Sequence, residues 1–313
     1  MRFSRMPDGT RLAYNLYGPR LRGESARGRI VLCDGISCDG YIFQHLRPAF
    51  EGDYDILHMN YRGHGRSGLP RDPTASTLPH LAADHAFLMA ELGFEDAVFI
   101  GHSMGVLVAL ETAFRYPQRV SAGVLTCGAS GRLLDSFKHT DFGLRILPLV
   151  DLVARRFRSR FAAALRVLMP SPITYLIAAT EIRGDRLKPK DLQPYLEHFA
   201  RMPVDLFVNL LEDAAERTTL PYLGRLTQPF LVIAGEDDGV TPLPATRLLA
   251  RTLRDAQLLV VPKTSHTAPI EDPEVFEKAV REFLARLDAC KTALPARGPW
   301  PAEAWSAAPV GPG

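Results

Sequence analysis

Short apolar runs alternate with longer segments of helical periodicity through most of this chain. Each run is bounded by Gly, Pro or Asp, which is typical of strands that are buried on both faces of a parallel sheet. The predicted strands are Arg29–Cys33, Tyr54–Asn60, Ala97–Gly101, Gly123–Cys127, Phe230–Ala234 and Gln257–Val261. Because strands alternate with helices, the pattern predicts an α/β fold whose mostly parallel central sheet carries helices on both faces.

Four segments place apolar residues at helical spacing: 78–92, 106–114, 206–214 and 275–287. Near the amino terminus, Phe3–Arg5 and Arg11–Tyr17 flank the turn sequence Pro7-Asp8-Gly9. This arrangement predicts a β-hairpin that precedes the α/β alternation.

Residues 133–226 break the alternation, since they contain helical patterns but no convincing strand. Several prolines divide this segment into short helices. We interpret it as a helical cap inserted into a core that consists of residues 1–132 and 227–291. Residues 292–313 are rich in Pro, Ala and Gly and lack periodicity, which predicts a disordered tail.

Composition disfavours several classes of protein. Apolar residues make up 46% and charged residues 23%, as in ordinary globular proteins. The formal charge of +2 gives no electrostatic argument for nucleic-acid binding. The cysteines, at 33, 38, 127 and 290, form no CxxC pair, so neither a metal finger nor a disulfide framework is expected. We expect no metal and no other cofactor.

No stretch approaches the ~18 consecutive apolar residues of a membrane span, and the first residues turn polar before a signal peptide could form. The sequence therefore predicts a soluble, cytoplasmic protein without integral membrane association. Its oligomeric state stays open.

The strongest chemical signal is Gly101-His102-Ser103-Met104-Gly105, which lies between a predicted strand and a predicted helix. In this context G-x-S-x-G is typical of a nucleophile elbow, where glycines permit a turn that exposes a strained serine. The helix dipole at the same position favours a developing negative charge. Ser103 is therefore the candidate nucleophile, and an ordinary strand-to-helix turn is the alternative.

A serine needs a base, and nine histidines are available. His266 follows a predicted buried strand and precedes the helix that begins near Pro273, which places it at the carboxyl edge of the sheet with Ser103. His102 adjoins the serine but should leave the elbow in another direction. His266 is the candidate base, and a surface-loop histidine is the alternative.

The acid that orients the base should come from the turn after the strand Phe230–Ala234. This turn contains Glu236, Asp237 and Asp238. The residues alone do not choose among these three carboxylates, but each would give the chain order serine, acid, histidine.

With these motifs the sequence resembles the capped alpha/beta-hydrolase superfamily over about residues 3–288. Gly235, Asp238 and Pro242 match the family pattern G-x-x-D-x-x-x-P, so the resemblance implies Asp238 as the acid. His266 with Glu271 and Pro273 resembles the stretch H-x-x-x-x-E-x-P. Residues 60–67 resemble the structural loop D-x-R-G-x-G-x-S, with Asn60 in place of the usual Asp.

A tetrahedral intermediate needs backbone N–H donors for its oxyanion. One donor should be the amide of Met104, directly after the nucleophile. The resemblance implies the amide of Ile36 as the second donor, in a loop that follows the strand Arg29–Cys33. This chain has Asp34 where the family usually has His. We expect the Asp34 carboxylate to point away from the oxyanion and to bind its own loop, as in an Asx turn.

Two weaker features are read as structural. The arginines at 155, 156, 158 and 160 are interpreted as a solvated helix face, with a gate for an anionic substrate as the alternative. Cys33 and Cys38 flank residues 34–37, which should carry the second oxyanion donor, and both cysteines are interpreted as packing residues.

The leading hypothesis is a serine hydrolase that cleaves a carboxylic ester of a small or lipid-like molecule through an acyl-enzyme. The resemblance also leaves C–C bond hydrolysis, lactone hydrolysis and acyl transfer open. A non-catalytic ligand receptor on the same fold is a second class, disfavoured because all three triad positions are kept. In each case the expected partner is a small molecule.

Overall fold

The computed structural model describes residues 1–72, 74–131 and 189–292, together with residues 156, 163–164 and 166–168. Eight strands form one sheet in these ranges. They are β1 (Arg2–Arg5), β2 (Arg11–Tyr17), β3 (Gly28–Cys33), β4 (Tyr54–Met59), β5 (Ala97–His102), β6 (Val120–Thr126), β7 (Phe230–Gly235) and β8 (Ala256–Val261). The six predicted apolar runs and the hairpin are therefore confirmed as strands.

The strand order is β1-β2-β4-β3-β5-β6-β7-β8. β1 and β2 pair in antiparallel fashion, as do β2 and β4, and every later neighbour pair is parallel. The carboxyl ends of β3 to β8 consequently meet at one edge of the sheet. Loops after these strands are the natural place for a site.

Most of the strands differ from the prediction by one residue at one end, and β6 differs by more. β6 begins at Val120, three residues before the predicted Gly123, because Val120 pairs with Ala97. The register shifts between Ala97 and Val98, so the first residues of β6 join the sheet across an irregularity that the apolar pattern does not reveal.

The helices of the described ranges are α1 (Leu46–Phe50), α2 (Leu78–Glu91), α3 (Met104–Arg115), α4 (Pro189–Arg201), α5 (Val204–Glu216), α6 (Leu220–Leu223), α7 (Leu243–Thr252), α8 (Ala268–Glu271) and α9 (Pro273–Thr292). The four helices predicted from apolar spacing correspond to α2, α3, α5 and α9. The prediction missed α7, a short helix in which Thr246 and Leu249 are the buried residues.

Alternation along the central strands explains why helices cover both faces. Phe99 of β5 packs in a cluster with Leu107 of α3, whereas its neighbours Val98 and Ile100 pack with Phe276 of α9 on the other face. Side chains of a strand point alternately to the two faces, so each face of β5 has its own core. The position of β5 in the middle of the sheet is thereby fixed from both sides.

α4 and α5 follow β6 and precede β7 in the chain, within the predicted cap. Tyr195 of α4 packs against Tyr41, with ring centroids 5.3 Å apart. Leu206 of α5 lies so near Gly63 that a Cβ there would approach it to 2.2 Å. Both helices therefore contact loops at the carboxyl edge of the sheet.

Most of the predicted cap, including His139 and all of the arginine run except Arg156, lies outside the described residues, as does the tail 293–313. Arg156 itself is exposed. Within the described residues, no helix is long and apolar enough to cross a membrane.

Candidate active site

Ser103 occupies a tight turn between β5 and α3. Its backbone has φ 55° and ψ −121°, a combination that L-residues rarely adopt outside strained sites. The turn requires glycine on both sides, since a Cβ at Gly105 would lie 2.0 Å from the carbonyl oxygen of Cys33, and one at Gly101 would lie 2.5 Å from that of Gly105. Ser103 is 8% exposed and its hydroxyl makes no hydrogen bond with the described residues.

Asp238 lies in the acidic turn after β7, and its carboxylate is bound from within that turn. Oδ1 accepts hydrogen bonds from the amides of Val240 and Thr241, both at 2.8 Å, and Oδ2 accepts one from the Thr241 hydroxyl at 2.7 Å. Asp237 and Glu236 are exposed, and Glu236 accepts a hydrogen bond from the Lys263 amide. The turn thus buries one carboxylate and leaves two at the surface.

His266 contacts the buried carboxylate directly. Its Nδ1 lies 3.0 Å from Oδ2 and 3.2 Å from Oδ1 of Asp238. The loop that carries it is anchored by Glu271, which accepts hydrogen bonds from the Ser265 amide at 2.8 Å and from the Thr267 hydroxyl at 2.6 Å. Glu271 therefore sets the position of His266 without contacting its ring.

Asp238 is the anionic member of this pair. Burial raises the pKa of Asp238, but the charge and hydrogen bond of His266 and the donors of Thr241 outweigh burial, so the pKa is lowered overall. A carboxylate that stays ionised fixes the Nδ1–H tautomer of His266 and leaves Nε2 as the free base. Tautomer and ionisation therefore suit His266 for accepting a proton.

His102 joins the serine turn to the histidine loop. Its Nε2 donates a hydrogen bond to the backbone carbonyl of His266 at 2.8 Å, and the two rings are 4.8 Å apart. Burial, followed by the charge of His266, lowers the pKa of His102 to about 3, so the ring is neutral. The ring of His102 therefore connects the serine turn to the histidine loop, a contact that the sequence did not reveal.

Two backbone amides near Ser103 are free to bind an oxyanion. Within the described part of the chain, the amides of Ile36 and Met104 donate no hydrogen bond to the protein. Gly35 brings the Ile36 loop against the serine, since a Cβ at Gly35 would lie 3.3 Å from the Cβ of Ser103. Unsatisfied amides beside a nucleophile are what an oxyanion hole requires.

The oxyanion loop, residues 34–41, follows β3 and carries Ile36. It is held from several sides. The Ser37 amide donates to Nε2 of His64 at 3.3 Å, and Nδ1 of His64 donates to the Arg62 carbonyl at 3.0 Å. Burial lowers the pKa of His64 to about 4, so the ring is neutral and its Nε2 can accept. Ser37 has φ 58°, and its hydroxyl donates to Sδ of Met202, the residue that follows α4, at 2.9 Å.

Asp34 points away from the oxyanion amides and binds its own loop, as expected, although not in the geometry of an Asx turn. Its Oδ1 accepts a hydrogen bond from the amide of Gly40, six residues along, instead of two. Its Oδ2 lies 2.6 Å from Nε2 of His58 on β4. The carboxylate thus binds its own loop and, in addition, a buried histidine on a neighbouring strand, a contact that the sequence did not reveal.

Cys33 and Cys38 are buried free thiols, consistent with packing. Burial, followed by the negative charge of Asp34, raises the pKa of both thiols well above the ordinary value. Neither is therefore a reactive thiolate. Among the described residues, no group of three or more His, Cys, Asp or Glu side chains is arranged to hold a metal ion.

Three comparisons with known proteins place this geometry in context. A family model for the alpha/beta hydrolase fold matches residues 28–273. An uncharacterized hydrolase of Bacillus subtilis is 26% identical over 88% of this chain and 95% of its own. A pimeloyl-[acyl-carrier protein] methyl ester esterase of Neisseria meningitidis is 27% identical over 82% of this chain and 93% of its own.

Solved structures share the same architecture. An enol-lactonase from Burkholderia xenovorans superposes with a TM-score of 0.73 at 22% identity, covering 91% of this chain and all of the lactonase. At this identity the likeness concerns the fold. Its sheet and helices therefore match those described here.

Proposed function

This chain belongs to the alpha/beta hydrolase fold family, and from that premise we propose that it is a serine hydrolase that cleaves a carboxylic ester of a small or lipid-like molecule. The observation that carries the proposal is the strained Ser103 beside two free amides, with the Asp238–His266 pair linked to the same turn through His102. Each part answers one need of acyl transfer, namely a nucleophile, a base and a site for negative charge.

In the first half of the reaction, the Ser103 oxygen attacks the ester carbonyl carbon while Nε2 of His266 takes the hydroxyl proton. Asp238 stays ionised and holds the imidazolium that forms, since its own pKa is lowered. The carbonyl oxygen becomes an oxyanion bound by the amides of Ile36 and Met104. The C–O bond to the alcohol then breaks, and His266 returns its proton to the leaving alkoxide.

In the second half, His266 takes a proton from water, and the hydroxide attacks the acyl carbon. The same two amides bind the second oxyanion. When the bond between the acyl carbon and Ser103 breaks, the serine oxygen regains a proton from His266 and the carboxylic acid leaves. One water is consumed for each ester cleaved, and no redox partner is needed.

We further propose that residues 133–226 form a lid over a core of residues 1–132 and 227–291. Phe199 of α4 and Phe207 of α5 pack edge to face, with centroids 4.9 Å apart. Phe207 is partly buried against the core, whereas Leu210 is fully buried in it. Phe207 is thus the better candidate of these two for contact with an acyl chain.

Three other reactions on the same residues define the competing substrates. Lactones, C–C bonds beside a carbonyl and acyl transfer to another alcohol all pass through the same serine, base and oxyanion donors. The similar proteins named above include a methyl ester esterase and, among the solved structures, an enol-lactonase. A panel should therefore contain linear esters of graded chain length, lactones and a diketone, each with and without an acceptor alcohol.

A fluorophosphonate probe tests the assignment of the nucleophile. We expect its mass on the peptide that contains Ser103, and Ser103→Ala should reduce kcat for p-nitrophenyl esters by about 10⁴-fold or more. Ser25→Ala is the matched control, because Ser25 is exposed in the loop before β3, away from the carboxyl edge. Labelling of another residue, or full activity in Ser103→Ala, would reject a serine mechanism.

A further inference from the structure

The molecule contains a second aspartate–histidine pair, Asp34 and His58, that the proposed mechanism does not use. The side chains are 1% and 6% exposed, and 2.6 Å separates Oδ2 of Asp34 from Nε2 of His58. A contact this short between buried groups is typical of a charge-assisted hydrogen bond. Burying charged groups costs free energy, so a buried ion pair next to a candidate oxyanion site indicates a specific role for the two residues.

Asp34 connects four parts of the site. It is the first residue after β3, and through its side chain it binds both β4, at His58, and the far end of its own loop, at the Gly40 amide. Its backbone carbonyl accepts a hydrogen bond from the Tyr61 hydroxyl at 3.0 Å. The same carbonyl would lie 2.6 Å from a Cβ at Gly105, so it also touches the helix that begins after Ser103.

His58 has little freedom to move. Its ring lies against Gly40, where a Cβ would approach Cε1 of His58 to 2.7 Å. The charged or titratable groups that act on it come from three elements: Asp34 and Asp39 of the oxyanion loop, Arg47 of α1 and His85 of α2. Burial lowers the pKa of His58, but the charge and hydrogen bond of Asp34 outweigh it, and the pKa is raised above its ordinary value of 6.5.

The negative charge of Asp34 reaches the elbow. It acts on the ring of His102, which is adjacent to Ser103, and on His64, which holds the Ser37 amide. An anion in this position opposes the formation of an oxyanion nearby unless a cation cancels it. His58 is the group placed to supply that cation.

We propose that Asp34 and His58 are positioning residues for ester cleavage: their ion pair holds the loop so that the Ile36 amide faces the oxyanion, and the His58 cation cancels the charge of Asp34. The inference rests on the proposed function. It adds two residues that do not touch the reacting atoms but determine how well the oxyanion is bound.

A double-mutant cycle separates this role from simple packing. In His58→Gln the Asp34 carboxylate keeps a hydrogen-bond donor but loses its countercharge, so kcat should fall about 10- to 100-fold with KM changed less than about threefold. In Asp34→Asn/His58→Gln both groups are neutral and can still bond to each other. The kcat of the double variant should therefore be at least about fivefold higher than that of His58→Gln.

A pH profile provides a second readout. In the wild type, deprotonation of His58 leaves Asp34 uncompensated, so kcat should decline as pH rises through the raised pKa of His58. Asp34→Asn has no charge to compensate and should lack this decline. At each pH, the hydrolysis rate of Ser103→Ala is subtracted from the rates of both proteins as background. His85→Gln is the control, since His85 is also buried, but its Nδ1 donates to the Leu81 carbonyl and its Nε2 lies against the Cys33 thiol and makes no hydrogen bond with a carboxylate of the described residues. It should retain the decline.

The state of His58 can also be read without activity. Imidazole ¹⁵N spectra at neutral pH should show one buried, doubly protonated ring in the wild type that becomes singly protonated in Asp34→Asn. These spectra also report whether His58→Gln folds, and phosphonate titration counts its competent sites.

The outcomes are distinct from those of the serine test. A double variant no better than His58→Gln, an alkaline decline that survives in Asp34→Asn, or a neutral His58 in the spectra would each overturn the inference while Ser103 stays the nucleophile. Activity independent of Ser103 would instead reject the proposed function and leave the ¹⁵N result standing as a property of the fold.

Discussion

Two aspartate–histidine pairs lie at the carboxyl edge of one sheet, and they differ in where the histidine is held. Asp238 and His266 come from two loops, and the His266 side chain is 14% exposed. Asp34 comes from a loop, but His58 belongs to the buried strand β4 and is 6% exposed. An imidazole on a loop has a second nitrogen available to substrate, whereas one inside a strand can only hold its partner.

The electrostatics of the pairs differ in the same sense. In the first pair the acid has a lowered pKa, so that the aspartate remains an anion below its ordinary range. In the second pair the base has a raised pKa, so that the histidine remains a cation above its ordinary range. On the proposed mechanism, the same two residue types thus give a proton acceptor in one setting and a fixed countercharge in the other.

The largest expected effect separates the two aspartates. Asp238→Asn should reduce kcat about 10⁴-fold, because an amide cannot stabilise the imidazolium and favours the wrong tautomer of His266. Asp34→Asn should cost at most about tenfold, since it removes the ion pair that positions the loop but leaves no uncompensated charge behind. Steady-state kinetics on one p-nitrophenyl ester measures both.

Asp237→Asn is the matched control for Asp238→Asn, since Asp237 is the exposed neighbour in the same turn. Its kcat should stay near the wild-type value. If Asp237→Asn and Asp238→Asn exchanged their effects, the interpretation of the acidic turn would be wrong. If Asp34→Asn matched the loss in Asp238→Asn, the two pairs would not differ in the way described.

A smaller effect is expected from the hydroxyls that support each aspartate. Thr241→Val removes the donor to Oδ2 of Asp238, and kcat should fall about tenfold because a hydrogen bond to a charged group is lost. Tyr61→Phe removes a donor to the backbone carbonyl of Asp34, a neutral contact, so the loss should not exceed about threefold. Equal losses would contradict the distinction between a catalytic and a positioning carboxylate.

The smallest effect concerns the free energy of unfolding. Its dependence on pH has opposite directions for the two pairs. The pKa of Asp238 is lowered in the folded chain, so its contribution is present above the ordinary value of 3.8 and is lost as pH falls through the folded pKa. The pKa of His58 is raised, so its contribution is present below 6.5 and is lost as pH rises through the folded pKa.

Thermal melting across pH measures these contributions. Relative to Asp238→Asn, the wild type should lose a few degrees of its advantage at the acid end. Relative to His58→Gln, it should lose its advantage at the alkaline end. If the difference in melting temperature between wild type and variant decreased at the same end of the pH range for both variants, one of the two pKa shifts would have the opposite direction.

Local patterns were enough to predict much of this molecule. The strands β3 to β7 are short apolar runs because both faces of the sheet are covered there, and G-x-S-x-G marks the turn at Ser103 because only glycine tolerates the contacts on either side. β8 was expected to be buried as well, but it is the edge strand and only Val261 is buried in it. The position of His266 at the carboxyl edge was nevertheless predicted from its place after this strand. For these features, the physical cause lies within a few residues of the sequence signal.

The Asp34–His58 pair could not be predicted in this way. Residues 24 positions apart meet because β3 and β4 are parallel neighbours, and β4 is buried at every position, so its sequence shows no alternation that would single out His58. The same holds for His64 under Ser37 and for His102 on the carbonyl of His266. Each contact depends on the packing of separate loops.

The contacts between the oxyanion loop and the helix of the proposed lid bear on how this enzyme family could be re-engineered. Ser37 binds Met202 at 2.9 Å, Asp39 lies 3.5 Å from His198, and Tyr41 packs on Tyr195. A lid transplanted from a relative to alter substrate choice would replace the partner residue in all three contacts. On the proposed function, substrate preference and turnover are therefore coupled in this chain, and directed evolution of the lid should co-select residues 37–41.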